Sequence, residues 1–237
     1  MIATASRVLR QLRHDPRTVA LLILVPPALM ILLRFVLDTS SFFSHVAPKL
    51  LGIFPFLLMF LVTSIATLRE RASGTLERLM TTPLPKLSLL AGYELGFTVV
   101  AAVQVAVTAS VSLWLGMDVS GSLGWLFAVT GVDALLGVAL GLFASAFART
   151  EFQAIQLMPV VVLPQLLLCG LFQPREDMAT VLRWAADVLP VSYAVEALQY
   201  VAEGRVDAAF ARDVLVLTGF VAGAVVAAAA TLRRTTA

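Results

Sequence analysis

The sequence predicts an all-α, polytopic membrane protein with six transmembrane helices, and three observations carry that prediction. Of its 237 residues, 59% are hydrophobic and only 14% charged, with a mean hydropathy of +0.93, whereas an ordinary soluble domain carries about 25% charged residues. Six apolar stretches, at 18–37, 50–68, 87–115, 123–147, 152–172 and 210–232, reach the length of about 20 residues that a spanning helix needs. The cations flank these stretches instead of gathering into a basic stripe. The isoelectric point near 9.0 therefore reads as a set of orientation signals and not as a nucleic-acid surface.

The first element predicted is an interfacial helix over residues 1–17. Arg10, Arg13 and Arg17 fall on one helical face and Val8, Leu9 and Leu12 on another, the separation of a helix lying among anionic headgroups. The same cations also read as simple flanking charge. Asp15-Pro16 then turns the chain, because proline disfavours helix at the residue before it. The run from Thr18 exceeds the ~7–15 residues of a signal-peptide core and no small-x-small site follows it, so it is expected to stay as an anchor. Cations are denser at one face of the six spans, at Arg7 to Arg17, Arg69, Arg71, Arg78, Lys86, Arg149, Arg233 and Arg234. That asymmetry places both termini in the cytoplasm. The single Cys169 can form no disulfide within the chain.

Between the second and third spans lies Arg69-Glu-Arg-Ala-Ser-Gly-Thr-Leu-Glu-Arg-Leu-Met-Thr-Thr-Pro83, too polar for lipid and too short for a domain. Leu76, Leu79 and Met80 recur at helical spacing, and Ser73 is predicted to cap a helix whose first turn carries Glu77; a solvated loop with orientation charges is the plainer reading. The pattern Glu-x-x-x-Gly-Thr-x-Glu-x-Leu, with Thr-Pro-Leu close behind, resembles the cytoplasmic motif of the ABC-2 type permeases, the membrane half of a class of ATP-driven exporters. The resemblance implies that 69–82 is a coupling helix fitting a cleft on an ATPase subunit. Glu70, Gly74, Thr75 and Glu77 then hold the motif positions, with Arg71 and Arg78 as rim charges.

A second stretch is similar to the C-terminal signature of the same permeases. It comprises Cys169-Gly-Leu-Phe-Gln-Pro-Arg-Glu-Asp-Met178, then Leu182-Arg-Trp184, then Leu189-Pro-Val-Ser-Tyr-Ala-Val-Glu-Ala-Leu198. Met178, Val181, Leu182, Ala185 and Val188 form one apolar helical face, Pro190 breaks it, and Ala194, Val195, Leu198 and Val201 form a second. Neither piece is long enough to span. Together they predict a re-entrant helical hairpin within 173–209 at the outer leaflet, where protein or water must satisfy the backbone. Phe172, Pro190, Tyr193 and Glu196 are its candidate gate residues. The family often has Arg after Glu-Ala-Leu, where this chain has Gln199.

Polar residues inside the spans are costly and therefore informative. Gln104, Asp133 and Gln165 lie roughly 20–25 Å from the inner ends of three helices, at about 1.5 Å per residue, and are the candidate translocation-pathway residues. Asp133 reads equally as a charge that meets a cationic substrate or water and as interhelical glue bonded to Gln104 or a Ser/Thr neighbour. Gly92-x-x-x-Gly96, Gly137-x-x-x-Gly141 and Gly219-x-x-x-Gly223 permit close helix approach without identifying the partner helix. Pro26, Pro27, Pro55, Pro159 and Pro164 are expected to kink three spans.

An intramembrane protease is disfavoured, since His14 and His45 lie outside the spans and Asp133 has no deep carboxylate partner. A passive channel or scaffold fits the composition and leaves both family-like motifs unexplained. No Gly-x-x-x-x-Gly-Lys-[Ser/Thr] loop occurs, so the chain is expected to be no enzyme and to bind no cofactor or metal, with ATP used by a partner. The reading is a single ABC-2 type transmembrane domain over 1–237 in a bacterial inner or plasma membrane. The resemblance implies pairing with an ABC ATPase subunit and a second permease subunit, identical or not, with lipid around it. The expected cargo is an amphipathic small molecule such as a drug or antibiotic; export of a lipid or lipid-linked glycan by the same architecture is the alternative.

Overall fold

The computed structural model describes residues 2–37, 40–74, 85–148 and 150–231. Its helices, in chain order, are α1 (Ile2–Arg13), α2 (Pro16–Leu37), α3 (Ser40–Leu51), α4 (Phe54–Ala72), α5 (Lys86–Trp114), α6 (Leu123–Ala144) and α7 (Glu151–Leu168). A 3₁₀ turn (Arg175–Asp177) leads into α8 (Thr180–Val188), α9 (Pro190–Ala202) and α10 (Ala208–Thr231). There is no strand among the described residues. Among the described residues, six helical stretches are long and apolar enough to cross a membrane: Pro16–Val36, Ser41–Ala72, Lys86–Trp114, Leu123–Ala144, Glu151–Leu168 and Ala208–Thr231. Each apolar run read from the sequence falls on one of them.

The centre of the bundle is the contact between α4 and α6, and glycine makes it possible. A Cβ at Gly137 would sit 2.4 Å from the Phe56 carbonyl oxygen, and one at Gly141 would sit 2.6 Å from that of Phe60. Since Gly137 faces Phe56 and Gly141 faces Phe60, the two helices run parallel, backbone on backbone. Lipid supplies no hydrophobic drive between helices, so such close van der Waals approach is what holds them. The partner that Gly137-x-x-x-Gly141 left open is thus α4. A Cβ at Gly219 or Gly223 on α10 would meet nothing within 4 Å among the described residues.

The second span is longer than its apolar core. Phe43, Ala47, Leu50 and Leu51 recur at helical spacing and are buried, so helix starts at Ser40 and not at the predicted Leu50. Gly52 and Ile53 turn the chain between α3 and α4, and α9 packs there: a Cβ on Gly52 would meet Val195 at 3.0 Å and Leu198 at 3.2 Å. Pro55 lies in the first turn of α4, where its missing N–H has no partner to lose. It starts a helix and kinks none, contrary to expectation. Pro26 and Pro27 in α2 and Pro159 and Pro164 in α7 are interior, as predicted.

Lys49 is buried and donates through Nζ to the Gly170 carbonyl at 3.0 Å. Beyond it, α8 and α9 treat their apolar faces differently. Ala194, Val195, Leu198 and Val201 of α9 are buried, as their spacing predicts, whereas Val181, Leu182, Trp184 and Val188 of α8 are exposed. The far end of α9 is closed by backbone: Ser120 N–H donates to Ala202 O (2.9 Å) and Gly121 N–H to Val201 O (3.1 Å). Those bonds satisfy carbonyls that a helix C-terminus leaves free.

Candidate functional site: a helix clasp, a buried polar set and an arginine cluster

The amphipathic helix α1 does more than lie at an interface. Val8 and Leu12 are buried, and Val8 rests on the backbone of α5, where a Cβ at Gly96 would come within 2.8 Å of it. Tyr93 is one turn before Gly96, so its ring meets the same face of α1. Arg7 stacks over that ring, 5.5 Å from its centroid. Arg7 Nη2 donates to Glu70 Oε2 at 2.7 Å and also to Tyr93 Oη. Tyr93 Oη in turn donates to Glu70 Oε2. Three helices are thus joined at one carboxylate, which is 6% exposed. Burial works against the Arg7 charge, but the Glu70 carboxylate and the Tyr93 hydroxyl outweigh it and hold the Arg7 pKa above its ordinary value.

This geometry relocates part of the predicted coupling set. Residues 69–72 are the last turn of α4, and Glu70 faces α1 and α5 within the bundle. Ser73, expected to begin a helix, instead ends one: its N–H donates to Arg69 O (3.0 Å) and its Oγ to Glu70 O (3.1 Å). Gly74 follows with φ 69, the left-handed conformation in which glycine closes helices. Arg71 is half-buried. Thr75, Glu77 and Arg78 lie outside the described residues. Arg69 reaches across to α7, its Nε 2.7 Å from Glu151 Oε1 and its Nη2 3.0 Å from Oε2. Both partners are about half exposed, so this fork sets register more than stability.

Deeper in the bundle, Gln104 and Asp133 are fully buried, and all four of their side-chain polar atoms lack a hydrogen-bond partner among the described residues. They do not bond to each other, so the predicted glue between them is absent. Gln165 is separate from both. Its Nε2 donates to Val161 O (3.2 Å), and its Oε1 accepts from Val191 N–H (3.3 Å) at the start of α9, which pins α9 to α7. On α4, the hydroxyls of Thr63, Ser64 and Thr67 are also buried without partners among the described residues.

At the opposite end, Arg175 ties α8 to α9. It donates to Asp187 of α8, stands 2.9 Å from Glu196 Oε2 of α9, and stacks on Tyr193, 4.9 Å from the ring centroid. Tyr193 Oη donates to the Asp187 carbonyl at 2.7 Å. Pro190 begins α9, and Phe172 is exposed. Asp213 of α10 is fully buried, bonded to Arg212 (2.9 Å), and comes within hydrogen-bonding reach of Glu196. Burial, opposed by Arg175 and aided by Asp213, pushes the Glu196 pKa up to about 7.

A sequence model described as "ABC-2 type transporter" matches residues 1–202, from the clasp through α9. The chain belongs to the ABC-2 type transporter family. Its relatives include "ABC transporter G family member 20" of Dictyostelium discoideum, 28% identical over 68% of this chain and 22% of that protein. "Probable multidrug ABC transporter permease YbhR" of Escherichia coli is 28% identical over 62% of this chain and 40% of its own length. "Inner membrane transport permease YhhJ" of Escherichia coli is 25% identical over 60% of the chain and 39% of that permease. The chain thus spans less than half the length of these relatives.

Within this ABC-2 type chain, sequence reasoning missed Arg7, Tyr93, Lys49 and Arg175 as site residues. Arg7 was one flanking cation among several, and nothing in its neighbourhood names Glu70, 63 positions away. A weak signal existed for Tyr93, which sits in Gly92-Tyr-Glu-Leu-Gly96, where small residues mark a close approach. Arg175 lies within the family-like signature, but its partners depend on how α8 and α9 are placed.

Proposed function

We propose that this ABC-2 type chain is the membrane-spanning subunit of an exporter driven by a separate ATPase, moving amphipathic small molecules outward as a pair with a second permease subunit. The observation that carries the reading is the clasp. Glu70, at the motif's first position, ties the last turn of α4 to α1 and α5, directly before the charged segment that begins at Thr75. A push on that segment from a docked ATPase acts on α4, and α4 is packed backbone to backbone against α6. Movement at the docking site therefore has a stiff path to the buried Asp133 and Gln104. The multidrug designation of related permeases supports an amphipathic cargo. Both termini, α1 and the charged segment are assigned to the cytoplasm of a bacterial inner membrane, and α8–α9 to a re-entrant hairpin at the outer leaflet. Gln104 and Asp133 are assigned to the pathway, and Phe172, Pro190, Tyr193 and Glu196 to its outer gate. ATP is bound by the partner.

Glu77→Lys tests the reading, with co-purification of the ATPase subunit and substrate-stimulated hydrolysis as readouts. Losing one partner of a desolvated interface charge pair costs about 2–5 kcal/mol, so the variant releases the ATPase or uncouples hydrolysis while the chain still inserts. Unchanged docking and coupling in a combined Glu77→Lys, Arg78→Glu variant would remove the coupling role of 75–82. Normal transport of cations by Asp133→Asn would make Asp133 structural.

A further inference from the structure

The clasp seals one end of a cavity of about 250 Å³ bounded by α1, α2, α4 and α5. Leu12, Leu21, Leu61, Val62, Ile65 and Phe97 supply apolar wall, and Leu21, 61% exposed, marks the side open to the surroundings of the bundle. The polar rim is Gln11, Asp15, Thr18, Arg69 and Glu70. An apolar chamber with a few polar groups at one edge is the usual form of a small-molecule site, and the charges on that edge select the ligand's sign.

Two carboxylates and one guanidinium line the cavity. The guanidinium of Arg69 is already engaged by both oxygens of Glu151, so an anion entering the cavity would have to displace that fork. Glu70 is met by Arg7 and Tyr93. Asp15 is the carboxylate with acceptor capacity to spare. Its oxygens take one N–H (3.3 Å) and one O–H (2.6 Å), both from Thr18, whereas an ionised carboxylate offers about four acceptor sites. Arg69 and Arg17 are both within electrostatic range of Asp15; Arg69 lines the cavity but is held by Glu151, and Arg17 is exposed and does not line it.

We propose that the cavity beneath α1 is a binding site for amphipathic organic monocations, with the cationic group at Asp15 and the apolar body between α2, α4 and Phe97. The site is complete within this chain and needs no ATPase, so its failure leaves the exporter reading standing, and failure of that reading leaves the site standing.

Three ligands sharing one body isolate the charge: 4-phenylbutylamine, 4-phenylbutan-1-ol and 4-phenylbutyrate. A Gln11→Cys reporter in a Cys169→Ala background, purified as the full chain, is labelled with a maleimide while each ligand is titrated. The amine is expected to slow labelling at concentrations where the alcohol and the carboxylate do not. Asp15→Asn keeps a residue equally able to cap α2 and should weaken protection by the amine roughly fivefold, the upper end for a part-exposed charge pair. Ala66→Phe, which fills the cavity from α4, should abolish protection without touching a charge. Equal protection by all three ligands would reduce the cavity to an unselective apolar groove. Protection by the carboxylate alone, or no effect of either substitution on the amine, overturns the proposal.

Discussion

Glu70 accepts from Arg7 and from Tyr93 while almost wholly buried, and removing either donor leaves a charge with fewer partners in a poorly solvated place. A fully buried pair that loses one member costs about 3–5 kcal/mol; since the Arg7 side chain keeps 30% of its surface exposed, Arg7→Ala should cost about 2 kcal/mol. The double variant Arg7→Met, Glu70→Gln removes both charges and should recover most of that loss. Thermal unfolding of the purified chain measures it, and additive single and double effects would show that the clasp carries no coupling. Glu196 supplies a second test because its pKa is raised from the ordinary 4.5 to about 7. The folded state then holds a proton that the unfolded state releases between those values, so stability is fullest below 4.5 and falls as pH rises through about 7. Glu196→Gln should flatten that fall, read as the difference in melting temperature between acidic and alkaline buffer.

At the scale of elements, the close contact between α4 and α6 offers no slack. A Cβ at Gly141 meets the Phe60 carbonyl, the Ser64 nitrogen and the Thr63 Cβ; two of the three are backbone, which cannot rotate aside. Gly141→Leu should therefore part the helices and cost about 3 kcal/mol, the upper end for overpacking a core. Gly219→Leu on α10, where nothing stands within 4 Å, should leave the chain's own unfolding unchanged. The two glycine pairs look alike in sequence, and only the structure separates the one that packs within the chain. Helices α8 and α9 repeat the lesson. The spacing of Ala194, Val195, Leu198 and Val201 reads as buried and is. The same kind of spacing in α8 leads to exposed Val181, Leu182, Trp184 and Val188, because periodicity reports an apolar face without saying whether protein or lipid meets it. Pro55 was misread for a related reason: a proline inside a long apolar run looks interior until Gly52 and Ile53 are seen to break the helix before it.

For the whole molecule, the proposed orientation has a direct check. With Cys169 replaced, cysteines near Ser73 and Thr236 should react with impermeant reagents only from the cytoplasm, and those near Asp177 and Asp207 only from outside; labelling of Ser73 from outside would invert the topology. The family, the all-helical class, the six apolar stretches and the breaks near Asp15-Pro16 and Pro190 were determined by the sequence itself. Each rests on local quantities: a bilayer demands a length of apolar chain whose backbone satisfies itself, proline acts on its immediate neighbours, and the family motifs are contiguous. Tertiary structure alone decided that Glu70 turns inward to Arg7 and Tyr93, that Gln165 holds α9, that Lys49 is buried against Gly170, and that Asp133 and Gln104 stand unbonded. Those outcomes depend on which helices come side by side. That is set by van der Waals fit between surfaces far apart in the chain, and a linear pattern carries almost none of that fit.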